Sequence, residues 1–169
     1  MKTIAIILIL MSTLALQCEK TDVTTNPKLA GEWVVKEVFL GDAIDTPCGY
    51  ANTISPEITI NFSAEKNTDG SYSFSGKSAV NQYFGSYELT SFEQSTSVGT
   101  IKLGSIGATK VVGPEPLMDC EMRFFTLLEQ SSDFSVLNEG GKDILRIGRF
   151  KKDPTPSRDG GKFLICERR

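Results

Sequence analysis

The chain has no histidine. That absence removes the Ser-His-Asp and Cys-His constellations of nucleophilic catalysis, and the histidine-based catalytic zinc sites with them. Its four cysteines, Cys18, Cys48, Cys120 and Cys166, include no Cys-x-x-Cys pair, so no zinc-type metal site is expected. Positive charge is sparse: 18 Lys and Arg against 21 Asp and Glu leave a formal net charge of −3. A nucleic-acid partner is therefore not expected, because neutralising phosphates takes a basic patch, and here the basic residues are spread thinly. The paired glycines Gly140-Gly141 and Gly160-Gly161 match neither Gly-x-Gly-x-x-Gly nor the Walker spacing, and read as hairpin turns. No repeat of solenoid period is present. Carboxylates that could work as an acid and base pair, such as Glu57, Glu88, Glu93, Glu115 and Glu121, carry no distinguishing pattern. No enzymatic activity and no cofactor is expected.

Long apolar runs are missing too, except at the N-terminus. Lys2 supplies a positive start, and Ile4 to Leu16 is an uncharged apolar stretch shorter than the roughly 20 residues a spanning helix needs. Residues 1–17 read as an export signal. Cys18 follows Leu14-Ala15-Leu16-Gln17, where a bacterial lipoprotein carries its lipidated cysteine. Residues 18–28 are polar, β-branched or turn-forming and lack core periodicity, which suits a tether. The expected address is the bacterial cell envelope, in the periplasm or on the outer membrane, with a lipid on Cys18 as the contact with membrane.

The remaining 29–169 has the length of one domain with one core. Trp33 to Leu40 is rich in Val, Phe and Leu and predicts a first strand. Gly41 to Pro56 reads as a loop. Ile58, Ile60 and Phe62 then alternate with Thr59 and Asn61 in a period of two. Asn67-Thr68-Asp69-Gly70 is turn chemistry, so Tyr72 and Phe74 form the returning strand. Tyr87 and Leu89, then Ile101 and Leu103, repeat the alternation. Leu117, Cys120, Phe124 and Leu127 or Leu128 recur at three- and four-residue spacing while Glu121, Arg123 and Glu129 fall off that stripe, predicting one amphipathic helix that Pro114 and Pro116 suit at its start. Strands at Phe134 to Val136, Ile144 to Ile147 and Phe163 to Cys166 follow, with an exposed hairpin tip over Lys151 to Gly161. The expected fold is mainly β (α+β): an antiparallel, barrel-like sheet of about 7–8 strands with one packed helix.

Cysteine usage agrees with an oxidising compartment. If Cys18 carries lipid, three thiols remain and at most one intramolecular disulfide can form. Cys120 lies on the apolar face of the predicted helix, where a buried thiol is the simplest reading. By elimination, the expected disulfide joins Cys48 to Cys166.

The order Leu29-x-Gly31-x-Trp33, Ile58-Thr59-Ile60-Asn61-Phe62 and Ser75-Gly76-x-x-x-x-Asn81-x-x-x-Gly85-x-Tyr87 resembles the META domain, the HslJ-like family of bacterial envelope proteins. Ile106-x-x-Thr109-Lys110, then Glu121-x-x-Phe124-x-x-x-Leu128 and Leu145-x-Ile147, resemble its later segments. The resemblance implies a compact barrel-like domain with a helix, often in lipoproteins or secreted proteins, and usually without an assigned activity. Many members resemble Gly-Cys-Asn where this chain has Ala79-Val80-Asn81, and Thr-x-Met-x-Cys where it has Thr109 to Gly113. Both of those family cysteines are absent here, so no redox role carries over. Asn81, Gly85, Tyr87, Thr109 and Glu121 match the family pattern and are expected to serve turns, core and caps.

Two functions fit this reading, beside a third, a stress-protective structural domain with no specific ligand. One is an interaction module contacting an envelope protein or other envelope material through a sheet edge or loops; the other is a carrier holding a small apolar ligand inside the barrel. A carrier requires an internal apolar cavity of several hundred Å³, as ligand pockets generally do. A monomer is expected in either case.

Overall fold

The computed structural model describes residues 28–50, 55–152 and 160–169. The expectations for the signal segment, Cys18, the tether up to residue 27, and the centres of the Gly41 to Pro56 and Lys151 to Gly161 loops lie outside the described residues.

The chain forms β1 (Gly31–Leu40), β2 (Ala43–Asp45), β3 (Thr59–Lys66), β4 (Tyr72–Lys77), β5 (Gln82–Glu93), β6 (Val98–Leu103) and β7 (Gly107–Ala108). Helix α1 (Glu115–Glu129) follows, and β8 (Asp133–Glu139), β9 (Lys142–Phe150) and β10 (Gly161–Arg168) complete the fold. Eight strands pair antiparallel in the order β10-β9-β8-β6-β5-β4-β3-β1, and β10 pairs again with β1, closing the sheet into a barrel. Closure removes the open edges that would otherwise recruit a neighbouring chain. The expected loop after β1 contains one short strand: β2 pairs with Val38 to Leu40, on the stretch of β1 beyond its pairing with β3. A bulge between Val35 and Glu37 bends β1 and keeps Val38 facing inward beyond it.

Alternation along the strands becomes one shared interior. Ile58, Ile60, Phe62, Tyr72, Phe74, Tyr83, Tyr87, Leu145, Ile147 and Leu164 are buried in a single cluster with Cys120, Phe124 and Leu128 of α1. Rings fill the space between strands: Phe62 meets Tyr87 edge-on with centroids 5.2 Å apart, and Tyr83 packs against both Phe124 and Phe125 of the helix. An apolar ligand of several hundred Å³ would have to displace these side chains, so the filled interior counts against the carrier reading.

The two ends of the domain are tied together. Trp33 is fully buried and its indole Nε1 donates to the Leu29 carbonyl at 2.8 Å. The Arg168 guanidinium lies 4.1 Å over the Trp33 ring, donates to the carbonyls of Ala30 and Lys28, and pairs with Asp143 at 3.0 Å. Gly31 is required beneath it: its φ is +120°, and a Cβ there would fall 2.6 Å from the guanidinium. The Leu29-x-Gly31-x-Trp33 pattern is thus the N-terminal half of a latch completed by Arg168.

Candidate functional site

Three motif positions that are far apart in sequence, Asn81, Thr109 and Glu121, join in one network around a buried carboxylate. Glu121 lies on the inward side of α1 and is only 6% exposed, although its residue type had placed it off the apolar stripe. Its Oε2 accepts hydrogen bonds from the Ser78 hydroxyl, from the Val80 N–H at 3.1 Å and from the Asn81 N–H at 2.8 Å. Its Oε1 accepts from Asn81 Nδ2 at 2.8 Å. Asn81 then reaches the other way: its Oδ1 accepts from the Thr109 hydroxyl and from the Val111 N–H, both at 2.7 Å, while Nδ2 also reaches the Val111 carbonyl. Thr109 closes the circuit by accepting from the Gln82 N–H. The helix, the β4–β5 turn and the strand-to-helix segment are therefore bolted together by side chains that use nearly all their bonding capacity on one another.

The charge on Glu121 is stabilised by this arrangement. Burial pushes the carboxyl up, but donors from Ser78, Asn81 and the Asn81 and Val80 amides outweigh it and hold the group below the ordinary carboxylate range. Both oxygens of this carboxylate are engaged by the fold's own donors, three on Oε2 and one on Oε1. Gly85 and Tyr87 serve packing: a Cβ on Gly85 would lie 2.6 Å from the Phe74 ring, and the Tyr87 hydroxyl donates to the Ser63 carbonyl at 2.7 Å. Burial pushes the Tyr87 phenol up, so it stays protonated.

The disulfide differs from expectation. Cys48 is bonded to Cys120, with Cα atoms 4.5 Å apart, and Cys166 is a buried free thiol. Cys166 faces the barrel interior from β10, opposite Val35 and Leu145 in the flanking strands, and burial pushes its thiol up and keeps it protonated. The amphipathic face of α1 instead carries Cys120 onto the loop after β2. Asp45, the last residue of β2, accepts from Arg123 of the same helix at 2.5 Å, a second tie between this segment and the helix. Among the described residues no group of three or more His, Cys, Asp or Glu is placed to hold a metal ion, and no helix is long and apolar enough to cross a membrane.

What remains open lies on the outside of the barrel. On β1, β9 and β10 the outward-facing positions, where alternation would favour polar residues, hold phenylalanines: Phe39 stacks on Phe163 at 4.7 Å, and Phe150 meets Phe163 edge-on at 5.3 Å. A groove of about 320 Å³ runs beside them, lined by Val98, Leu137, Phe150 and Phe163 with Arg146 and Lys151. A second, of about 430 Å³, meets it at Val98 and is lined by Ser91, Phe92, Thr96, Thr100, Asp133 and Lys152, with Glu93 at its side. Sequence reading marks only the Lys151 end of the first groove, as the start of a loop suited to contacts, and not the strand residues. The available signal was that β1 and β10 are apolar in both phases of the alternation, which marks a strand covered on two sides.

A closed antiparallel barrel with one helix bolted across it by the Glu121, Asn81 and Thr109 network defines a compact β domain. The META domain family profile matches residues 27–154, and the chain belongs to that family. A solved structure of similar fold is the NMR structure of a protein from Burkholderia xenovorans, with a TM-score of 0.57 and 20% identity, covering 86% of this chain and 89% of that one. No curated protein matches the sequence.

Proposed function

We propose that this chain is a non-catalytic binding domain of the bacterial cell envelope, exported by residues 1–17 and held to a membrane by lipid on Cys18. The observation that carries the binding role is the contrast between a filled interior and an apolar, partly cationic trough left open on the barrel's outer surface. Such a trough is where a monomeric domain meets a partner. The engagement of Glu121 in the bolt between helix and barrel, together with the absence of histidine, favours binding over chemistry. The apolar N-terminal stretch followed by Cys18 supports the address.

The address is tested by mass spectrometry of the mature N-terminus after expression in a bacterium, beside a Cys18→Ser variant. A mature chain beginning at a lipid-modified Cys18, and loss of membrane association in the variant, is the expected result. A mature product that starts at another, unmodified residue would refute the anchor.

A further inference from the structure

The outer face of β3, β4 and β5 differs in chemistry from the trough. Asn61, Ser75, Phe84 and Gly107 are cross-strand neighbours on β3, β4, β5 and β7, so they form one row across the strands. Phe84 is 63% exposed, and its ring leans over Gly107, where a Cβ would fall 2.8 Å from it. Beside the ring a shallow groove of about 260 Å³ is bordered by Asn61, Ser63, Ser73 and Ser75, and none of its lining side chains is charged. The Ser63 hydroxyl is bonded to the Glu65 backbone. Among the described residues, the hydroxyls of Ser73 and Ser75 and the Asn61 amide have no hydrogen-bond partner within the fold. A hydroxyl and a carboxamide each donate and accept, so the row presents an aromatic face followed by two free groups of both polarities.

We infer that the row of Phe84, Ser75 and Asn61 binds an extended, uncharged glycan of β-linked, N-acetylated pyranose rings, one ring stacked on Phe84 and the next ones hydrogen-bonded by Ser75 and Asn61. The C–H face of such a sugar is drawn to the negative face of an aromatic ring, and its hydroxyl and acetamido groups both donate and accept. Neighbouring strands lie about 4.8 Å apart, so the row repeats at close to the length of one sugar in an extended β-linked chain. A charged ligand finds no counter-charge in this groove, and an apolar one would cover two hydroxyls and an amide without replacing their bonds to water. A peptide cannot add here as a strand, because β3, β4 and β5 are paired on both edges. The groove is smaller than the roughly 300–1,000 Å³ of an enclosing pocket, so the glycan lies across the sheet and not inside it. The acetamido substituents rest on the envelope address proposed above, since the glycan of a bacterial wall is built of such sugars; the stacking and the spacing stand without it.

The probe is chitotetraose, the β-linked tetramer of N-acetylglucosamine, titrated into the whole purified chain by isothermal calorimetry. Cellotetraose, β-linked but without acetamido groups, and maltotetraose, an α-linked chain that curls, are the comparison probes. Phe84→Leu removes the ring face yet keeps an apolar side chain over Gly107, and Ser75→Ala and Asn61→Ala each remove one polar group. Val98→Asp, in the outer trough, is the control, and circular dichroism melts establish that each variant is folded. Saturable binding of chitotetraose is expected, weakened about tenfold by Phe84→Leu and about three- to tenfold by either alanine variant. Val98→Asp should bind as the parent does, and maltotetraose should not bind. Absence of binding at millimolar chitotetraose, or equal binding by folded Phe84→Leu, would overturn the row as a site. Equal binding of cellotetraose would overturn the amino-sugar assignment, and equal binding of maltotetraose the extended-chain fit. Mass spectrometry of the N-terminus reads the envelope address separately, so a wrong address and a wrong site give different results.

Discussion

Replacing Glu121 by glutamine is the most informative single perturbation of the fold. The substitution keeps size and shape and exchanges one carboxylate oxygen for an NH₂ donor. Three donors converge on Oε2 and one on Oε1, so the amide oxygen will take the Oε2 position and the NH₂ will face Asn81 Nδ2. That places donor against donor. Asn81 cannot turn its amide over to relieve this, because its Oδ1 already accepts from Thr109 and Val111. One charge-assisted bond is lost outright and three become neutral, which amounts to about 2–4 kcal/mol. In a domain of this size that is a fall in Tm of roughly 10 °C. The sign of the pH dependence follows from the depressed folded-state pKa of Glu121: its stabilisation is present above the unfolded value near 4.5 and is lost as pH falls through the folded value. Calorimetry of parent and Glu121→Gln from about pH 7 down to pH 3 should therefore show a gap that is full at neutral pH and narrows in acid. A folded variant within about 2 °C of the parent at pH 7, or a gap that widens in acid, would refute the network as the bolt between helix and barrel.

Other predictions follow from the same contacts. Cys48 and Cys120 should resist alkylation until a reductant is added, and Cys166 should resist until the protein is unfolded; peptide mapping distinguishes this from any Cys48–Cys166 link. Because the disulfide spans 72 residues, the Cys48→Ala, Cys120→Ala pair should lose about 4 kcal/mol on the chain-entropy account, read as a lower urea midpoint. Arg168→Met should cost about 2 kcal/mol by removing the cation–π contact and the carbonyl bonds that hold residues 28–30, and urea unfolding of the variant checks it. An unchanged midpoint would mean that the Trp33 end holds itself without the latch.

Local pattern and long-range pairing divided the information unevenly. Ile58, Ile60 and Phe62 announce a strand with one buried face because burial on a pleated sheet has a period of two, and all three are buried as that period requires. The helix was legible for the same reason at a period of 3.6, and Phe124 and Leu128 do face the core. Glu121 was misplaced by that logic, since periodicity counts apolar side chains and a carboxylate becomes buried only where a distant turn brings it donors. The disulfide was misassigned because elimination among cysteines contains no distance, and the choice of Cys120 depended on where the helix docked.

The amino-acid sequence by itself determined the eight barrel strands, though not the short β2 and β7, together with the single helix and the turn positions, which rest on side-chain periodicity and turn chemistry within a few residues; the family was legible as a resemblance in the order of its motifs along the chain. Only the tertiary structure decided that β10 closes on β1, that Cys48 bonds Cys120, that Glu121, Asn81 and Thr109 form one network, and that Val98 and Arg146 share an outer trough. The physical reason is that each of these joins residues tens of positions apart, where the energy of contact depends on a geometry the whole barrel supplies and no local pattern encodes.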